Sequence, residues 1–487
     1  MTVGLIVYLA LVTRRTLLLQ DPGTYWHIAV GRIIIEQHII PIHDPFSYTK
    51  SGTLWSSHEW ASEVLTAIVY STFGWPGLIF LTAFCGASAF VLFAQALLRS
   101  LEPRWVLVGV ILAVPMAVPH VLARPHSFAL PLMVLWVAEL AQARDEERPP
   151  SYWLLPIMLL WANCHGGYTI GLLIATMFAG EAVITTSPPL RRTAFLQWAK
   201  FGALALFASM LTADGPSGLL FTVDTVGSRT TMAWIQEWGP LNFQYFQPME
   251  MWLFGLIFLG LTLGVRLPCT RITMLLVLIH LGLAHVRFVE VVALLGPLII
   301  AGSLGAELGR LDYAAAPRLR TPSGAATKSL PAIGIAMLAV TSLAITAALF
   351  ERRLDRSDDS VTPTSALAAV EKFGPCANML NHMRFGGYLI FRGIRTFIDD
   401  RTTMYGDEFL SAYIDATLAK VGTLPDLLRR YDIGWTLFGP DDIVIGSLDR
   451  LPGWQRIYAD RSAVVHVRTD AGHGCVQSWF GQPRPTK

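Results

Sequence analysis

EWASEVLTAIVYSTFGW, residues 59–75, is apolar enough to pass for a membrane span and polar enough to be something else. If it crosses the bilayer, every later loop changes sides. If it lies along the surface, the run from Pro76 to Leu98 is the next span. Two acids, Glu59 and Glu63, and the aromatics Trp60 and Trp75 suit a helix that rests in the headgroup layer or re-enters it. The charges of the remaining loops decide between these readings.

The chain has 487 residues, 53% hydrophobic and only 15% charged, with a mean hydropathy of +0.48. Several runs approach the roughly 20 apolar residues needed to cross about 30 Å of hydrocarbon. Spans are read near 3–20, 76–98, 105–122, 127–142, 152–163, 168–185, 195–212, 248–264, 272–286, 288–308 and 330–349, eleven in all. The first holds Arg14 and Arg15, which either snorkel or mark an early end. Twelve Lys and Arg fall in the loops 99–104, 143–151, 186–194, 265–271 and 309–329. Five fall in the alternate set, 21–57, 123–126, 164–167, 213–247 and Arg287, although that set is longer. Cytoplasmic loops carry the excess, so the first set faces the cytoplasm, the N-terminus is inside, and an odd number of spans leaves the C-terminus outside. This topology requires 59–74 not to span.

A formal net charge of +2 gives no basic excess that would draw nucleic acid. The five cysteines show no metal-binding spacing, and Cys376 with Cys475 alone share the polar C-terminal part, where export would permit a disulfide. The N-terminal run lacks a cleavage pattern and reads as a signal anchor. After the charged linker ERRLDRSDDS, residues 351–360, the composition becomes that of a soluble domain. Strand-like runs at 386–391, 396–398, 435–438 and 463–467 alternate there with helical patterns at 407–420 and 424–431. The fold class expected is therefore an all-α membrane domain over 1–349, about eleven transmembrane helices with a long outer loop 21–75, followed by a small extracytoplasmic α/β domain over 350–487. No internal repeat of fixed period stands out.

The polar residues that are costly at membrane depth collect on the outer side: Asp21, His27, His43, Asp44, His58 and Glu59 in and after the first outer loop, then Arg124 and His126, Asn163 and His165, Asp214, Glu237, and His285 with Arg287. Such a one-sided set looks like a site that opens outward. Each member also has a structural reading. Asp21 can cap the helix that follows it, with Pro22 in the first turn. Asp44 before Pro45 can be a turn residue, Glu59 can cap the helix after it, and Arg124 before Pro125 can simply end a span. Asp399, Asp400, Arg401 and Tyr405 form the most polar cluster of the C-terminal domain, read as a turn.

The stretches DPGTYWH (21–27), PIHDPFSYT (41–49), WSSHEW (55–60), ARPHSF (123–128), LLWANCHGGYTIGL (159–172), IQEW (235–238), HVRFV (285–289) and RFGGYLIF (384–391) with FIDDRTTMYGDEFL (397–410) together resemble a group of bacterial multi-spanning proteins related to membrane glycosyltransferases of the GT-C fold. The resemblance covers nearly the whole chain. It implies a polyprenyl-phosphate-linked sugar as donor and a glycan, lipid or protein as acceptor at the outer face of the bacterial inner membrane, in cell-envelope polysaccharide assembly. It also implies an outer-loop acid near the end of the first span as catalytic base or metal ligand. Here that acid is Asp21, with Glu59 or Asp44 as the second acid. Residue 23 is Gly where many of the group carry a second acid, which leaves one carboxylate and distant histidines, a poor cage for Mg2+ or Mn2+. If a metal is used, Asp21 is its candidate ligand.

The chemistry agrees with the resemblance. Sugar transfer needs a carboxylate to take a proton from the acceptor and cations to hold the departing phosphate. Asp21, Glu59 and Asp44 are the candidates for the first role. Arg124, Arg287, His58 and His165 are the candidates for the second. His27, His126 and Glu237 would meet the acceptor or support these groups. The enzyme so described moves a hexosyl or pentosyl group. Two other readings use the same residues: a transporter or flippase for the lipid-linked sugar, whose arginines bind phosphate without chemistry, and a non-catalytic envelope-assembly protein.

Overall fold

The computed structural model describes residues 1–219, 236–262, 264–315, 329–351, 354, 356–375 and 377–470; Cys376 and Cys475, and with them the disulfide considered above, lie outside the described residues. The described residues of 1–18, 76–219 and 236–351 pack as one compact unit, and those of 19–75 and 354–470 as another. This division by packing differs from the division by composition. The outer loop 21–75 goes with the C-terminal residues and not with the helices that follow it in sequence.

The first unit is helical. A helix stands at each position read as a span. Six of those described are long and apolar enough to cross a membrane: Trp60–Leu98, Pro103–His120, Pro125–Asp145, Tyr168–Thr185, Val286–Leu311 and Gly334–Glu351. Thr2–Thr13, Leu154–Cys164, Pro248–Thr262 and Cys269–Ala284 are apolar but shorter, and Pro188–Ser209 opens on Arg191 and Arg192. The chain is thus a multi-pass membrane protein. The first helix ends at Thr13, where the two arginines begin. Proline sets several starts: Pro103, Pro125 and Pro188 occupy first-turn positions where the lost N–H has no helical partner. The residue before such a proline is held extended, and so Arg124 sits at φ −142°, ψ 165°, just outside its helix. Arg271, counted above in a loop, is instead inside the helix Cys269–Ala284 and 1% exposed. It pairs with Asp145 at 2.7 Å and Glu181 at 2.7 Å, since a guanidinium at that depth must be neutralised locally.

The second unit holds a four-stranded sheet in the order β1-β2-β4-β3: β1 (Asn378–Asn381) runs parallel to β2 (Ile433–Phe438), and β4 (Val464–Arg468) pairs antiparallel with β2 and with β3 (Trp454–Ala459). Helices Asp407–Thr417 and Thr423–Arg430 cover a core that includes Leu380, Phe397, Leu410, Leu428, Ile433 and Val464. Two strand expectations fail. Residues 386–391, GGYLIF, form a helix, because a short wholly apolar run has no period to separate strand from helix, and residues 396–398 are not in a strand but carry a single bridge from Thr396 to Ser47. The outer loop is laid against this region: Thr396 N–H donates to Phe46 O at 3.1 Å, Tyr48 N–H to Thr396 O at 3.1 Å, and Thr49 Oγ1 to Phe397 O at 2.6 Å.

The opening stretch is helical to Phe73, and Gly74, at φ 62° and ψ −153°, interrupts the helix Trp60–Leu98, as the separation of 59–74 from 76–98 anticipates. Its first part packs on the helix Gly23–Gln37 through Gly31, where any Cβ would lie 2.0 Å from Glu63 O. Tyr25, Trp75, Tyr388 and Phe391 make edge and tilted ring contacts beside this pair, capped by the Arg356 guanidinium at 4.8 Å from the Tyr25 ring.

Candidate functional site

Asp21 is 9% exposed and its Oδ1 accepts the N–H of Gly23 at 2.7 Å. The helix starts at Gly23 with Pro22 already in helical geometry, so the carboxylate caps a helix N-terminus, where an orphan N–H and the helix dipole both favour negative charge. A second carboxyl shares this place. Trp26 Nε1 donates to Asp400 Oδ2 at 3.1 Å, and a Cβ on residue 23 would meet Asp21 Oδ1 at 2.7 Å and Asp400 Oδ2 at 3.0 Å. Burial, then the charges of Asp399 and Asp21, push the Asp400 carboxyl up to about 7. Sequence alone places Asp400 in a turn, and the FIDDR cluster is its signal there.

Glu59 lies in a chain of contacts on the same unit. His58 Nε2 is 3.8 Å from Glu59 Oε1, Glu59 Oε2 is 4.0 Å from His27 Nε2, and His27 Nδ1 is 3.2 Å from Glu63 Oε1. Ser57 Oγ donates to the other Glu63 oxygen. Glu63, which from sequence suits only the interface, is 1% exposed and anchors His27.

Asp44 is 2% exposed and its oxygens are engaged. They accept from Phe46 N at 3.0 Å, Ser47 N at 3.0 Å and Ser47 Oγ at 2.5 Å, the turn chemistry considered above, and one of them is 2.9 Å from Arg401 Nη2. Arg401 also forks onto Asp399, Nε to Oδ1 at 2.9 Å and Nη2 to Oδ2 at 2.7 Å, and lies 4.6 Å from the Trp55 ring and 5.0 Å from the Phe46 ring. Tyr405 donates to Asp399 Oδ2 at 2.8 Å. Burial raises the Asp399 carboxyl, but the Arg401 charge and hydrogen bonds outweigh it and hold Asp399 below the ordinary range. Asp44 and Arg401 therefore tie the outer loop to the FIDDR segment.

The remaining candidates belong to the helical unit. Arg124, placed by its extended backbone before Pro125, donates from Nη1 to both Glu237 oxygens at 2.8 and 3.0 Å and from Nε to His126 Nδ1 at 2.9 Å. His126 Nε2 donates to His120 O at 2.7 Å and lies 3.6 Å from Glu290 Oε1, an arrangement that fixes the neutral tautomer with the proton on Nε2. The segment carrying Glu237 is held by Val286 N–H to Gly239 O at 3.0 Å and by His285 Nδ1 to Trp238 O at 2.6 Å. Arg287 lies 4.3 Å from the Trp238 ring. Burial raises Glu237, but Arg124 and then Arg287 bring it below its usual value. His165 joins through its ring, 6.1 Å from that of His126. The arginine read as a phosphate holder is thus already occupied by a glutamate, and Glu290, 6% exposed, is a member that sequence reasoning missed.

Among the described residues no three His, Cys, Asp or Glu converge as a cation cage. Asp21 and Asp400 bring two carboxyls to this place, fewer oxygens than the roughly six to eight that an all-protein hard-cation cage supplies.

No protein-family model matches the chain, and a search of curated proteins finds no match. Among solved structures its fold is similar to that of the archaeal oligosaccharyltransferase AglB from Archaeoglobus fulgidus, in complex with an inhibitory peptide and a dolichol-phosphate, with TM-score 0.52 at 12% identity over 87% of this chain. It is also similar to an oligosaccharyltransferase of that organism tethered with an acceptor peptide containing the NVT sequon, with TM-score 0.50 at 11% identity over 89% of this chain. The chain spans 66% of the length of the first and 68% of the second. The similarity is one of fold.

Proposed function

We propose that the protein is an integral membrane glycosyltransferase that moves a sugar from a polyprenyl-phosphate-linked donor to a glycan, lipid or protein acceptor at the outer face of the inner membrane, with the N-terminus in the cytoplasm. The observation that carries this reading is Asp21, a buried carboxylate fixed at a helix N-terminus in a membrane protein whose fold resembles that of oligosaccharyltransferases. In the transfer the acceptor's nucleophilic atom forms a bond to the anomeric carbon, the bond from that carbon to the lipid phosphate breaks, and the acceptor's proton goes to Asp21. A positioned base contributes about 10²–10⁴-fold. Arg287 and Arg124 are assigned to the departing phosphate, with His58 and His165 as supporting donors, and loss of one such donor costs about 10²–10³-fold. His27, His126 and Glu237 keep their assignment to acceptor contact or support.

The test is transfer by the purified protein in liposomes containing radiolabelled polyprenyl-phosphate mannose, glucose or arabinose, with extracted envelope glycans as acceptors, with and without Mg2+ or Mn2+. Label should appear in the glycan fraction for one donor. Label that moves between leaflets without leaving the lipid would replace the transferase with a transporter.

A further inference from the structure

The helix that opens at Trp60 is turned in a way its sequence does not suggest. Read alone, Glu63 belongs in water or among headgroups. In the structure the polar residues Ser62, Glu63 and Thr66 are buried, and Glu63 meets the helix Gly23–Gln37, where His27 Nδ1 lies 3.2 Å from its Oε1. The outward stripe is apolar instead. Leu65 is 38% and Ile68 49% exposed, and Ala61 and Val64 are half-buried beside them, at the spacing that puts residues on one helix face. Toward the end of the stripe Ser71 and Thr72 are exposed, yet their hydroxyls fold back onto Ile68 O at 3.0 and 2.8 Å. A surface helix in water has the reverse arrangement, with its apolar face inward. Glu63 is the one charged residue between Trp60 and Phe73, and no Lys or Arg occurs from 51 to 98, so the outward face carries no charge.

We propose that residues 60–73 lie flat in the interfacial layer of the leaflet that the second unit faces, with Leu65 and Ile68 turned to lipid, and that Ile39, Ile42 and Leu54 of the outer loop enter the same layer. Three observations name lipid as the occupant. The segment runs, past the break at Gly74, into the apolar run from Pro76 to Leu98, which is a membrane span. The hydroxyls of the stripe are satisfied within the helix, as a medium without water requires. Exposed aliphatic side chains also crowd this part of the unit: Ile39, Ile42 and Leu54 are 65%, 57% and 76% exposed, whereas among the described residues of 354–470 the exposed large apolar side chains are Leu418, Val421 and Ile443. Ile42 and Leu54 are held together by the bridge from His43 to Leu54 and by Trp55 N–H to Ile42 O at 3.0 Å. With no basic residue on the helix, the contact draws on apolar burial and not on attraction to anionic lipid. Lipid against Leu65 and Ile68 fixes the rotation of the helix, and that rotation is what presents Glu63 to His27. It does so whether or not Asp21 is a base.

The test uses the full chain in phosphatidylcholine liposomes, with its five cysteines replaced by serine and one fluorescent label placed at Leu65→Cys, Ile68→Cys, Leu54→Cys or, as the aqueous control, Val421→Cys. Spin-labelled lipids that carry the quencher near the headgroup should remove most of the emission at positions 54, 65 and 68, and iodide in the water should remove little. Val421 should behave in the opposite way. Iodide quenching at 65 and 68 equal to that at Val421 would make the stripe a solvent face and overturn the proposal. Labels shielded from lipid and iodide alike would put protein on the stripe, a second copy or another chain, and overturn it as well. Quenching strongest from spin labels at the bilayer centre would make 60–73 a span and contradict the flat placement. Quenching that rises with added phosphatidylglycerol or falls with added salt would contradict an apolar contact. Ile68→Glu, at an exposed position, should lower the lipid quenching of the label at 65; unchanged quenching in that folded variant would show that Ile68 does not meet lipid.

Discussion

Arg401 shows how much the second unit depends on single charges. It is 6% exposed and its partners Asp399 and Asp44 are buried with it. Removing one member of a buried ion pair leaves an uncompensated charge and costs about 3–5 kcal/mol. Arg401→Met is therefore expected to lower the melting temperature of the folded protein, and a melt unchanged from native would contradict the assignment. The acids near it respond to pH in opposite senses. Asp399 is lowered on folding, so its contribution is present above the ordinary aspartate value of about 3.9 and is lost as pH falls through its folded value. Asp400 is raised to about 7, so the folded state holds a proton that the unfolded chain has released. Its effect is a fall in stability as pH rises from about 4 to about 7. Thermal melts at pH 5 and pH 8 should show a smaller decline for Asp400→Asn than for the native chain; equal declines would contradict the raised value. Little of this was legible in sequence. DPG and FIDDR are each ordinary turn chemistry when read alone, and only folding shows that residue 23 and residue 400 compete for one space.

At the scale of elements, proline and glycine set the boundaries. Pro103, Pro125 and Pro188 mark helix starts, and GW at 74–75 marks the break in the long helix. Gly74 sits at φ 62°, ψ −153°, a region in which side chains cost about 1–3 kcal/mol. Gly74→Ala should be destabilised on that scale in thermal melts, and a neutral effect would mean the break is not held by glycine. The run GGYLIF was illegible for the reason opposite to that for FIDDR: six apolar residues carry no period. Its glycines hold the clue, since Gly387 admits Pro22 O at 2.0 Å from where its Cβ would stand, an approach that only the folded chain reveals. The short segment 236–241 carries another prediction. Glu237 occupies Arg124, so a phosphate must displace it. Glu237→Gln should tighten binding of polyprenyl phosphate in vesicles by about tenfold, equivalent to roughly 1.4 kcal/mol. Unchanged or weaker binding would mean that Arg124 serves only to hold Glu237.

For the whole molecule, composition was enough to read a multi-pass protein with a sheet-containing C-terminal part, because apolar length and its loss after residue 350 are global properties. The packing of 21–75 with the C-terminal part was not legible, since long-range pairing leaves no periodic trace. The orientation is open to direct measurement. In a chain whose five cysteines are replaced by serine, Val421→Cys, on a fully exposed residue of the second unit, should react with a membrane-impermeant maleimide from outside, and Glu147→Cys only after permeabilisation; the reverse pattern would invert the topology. The central claim, that Asp21 is the base of a glycosyl transfer, is tested most directly by comparing native protein with Asp21→Asn in the same liposomes, for donor binding and for label transferred. Unaltered binding with transfer reduced about 10²–10⁴-fold is the result this account predicts, and transfer at the native rate is the result that would contradict it.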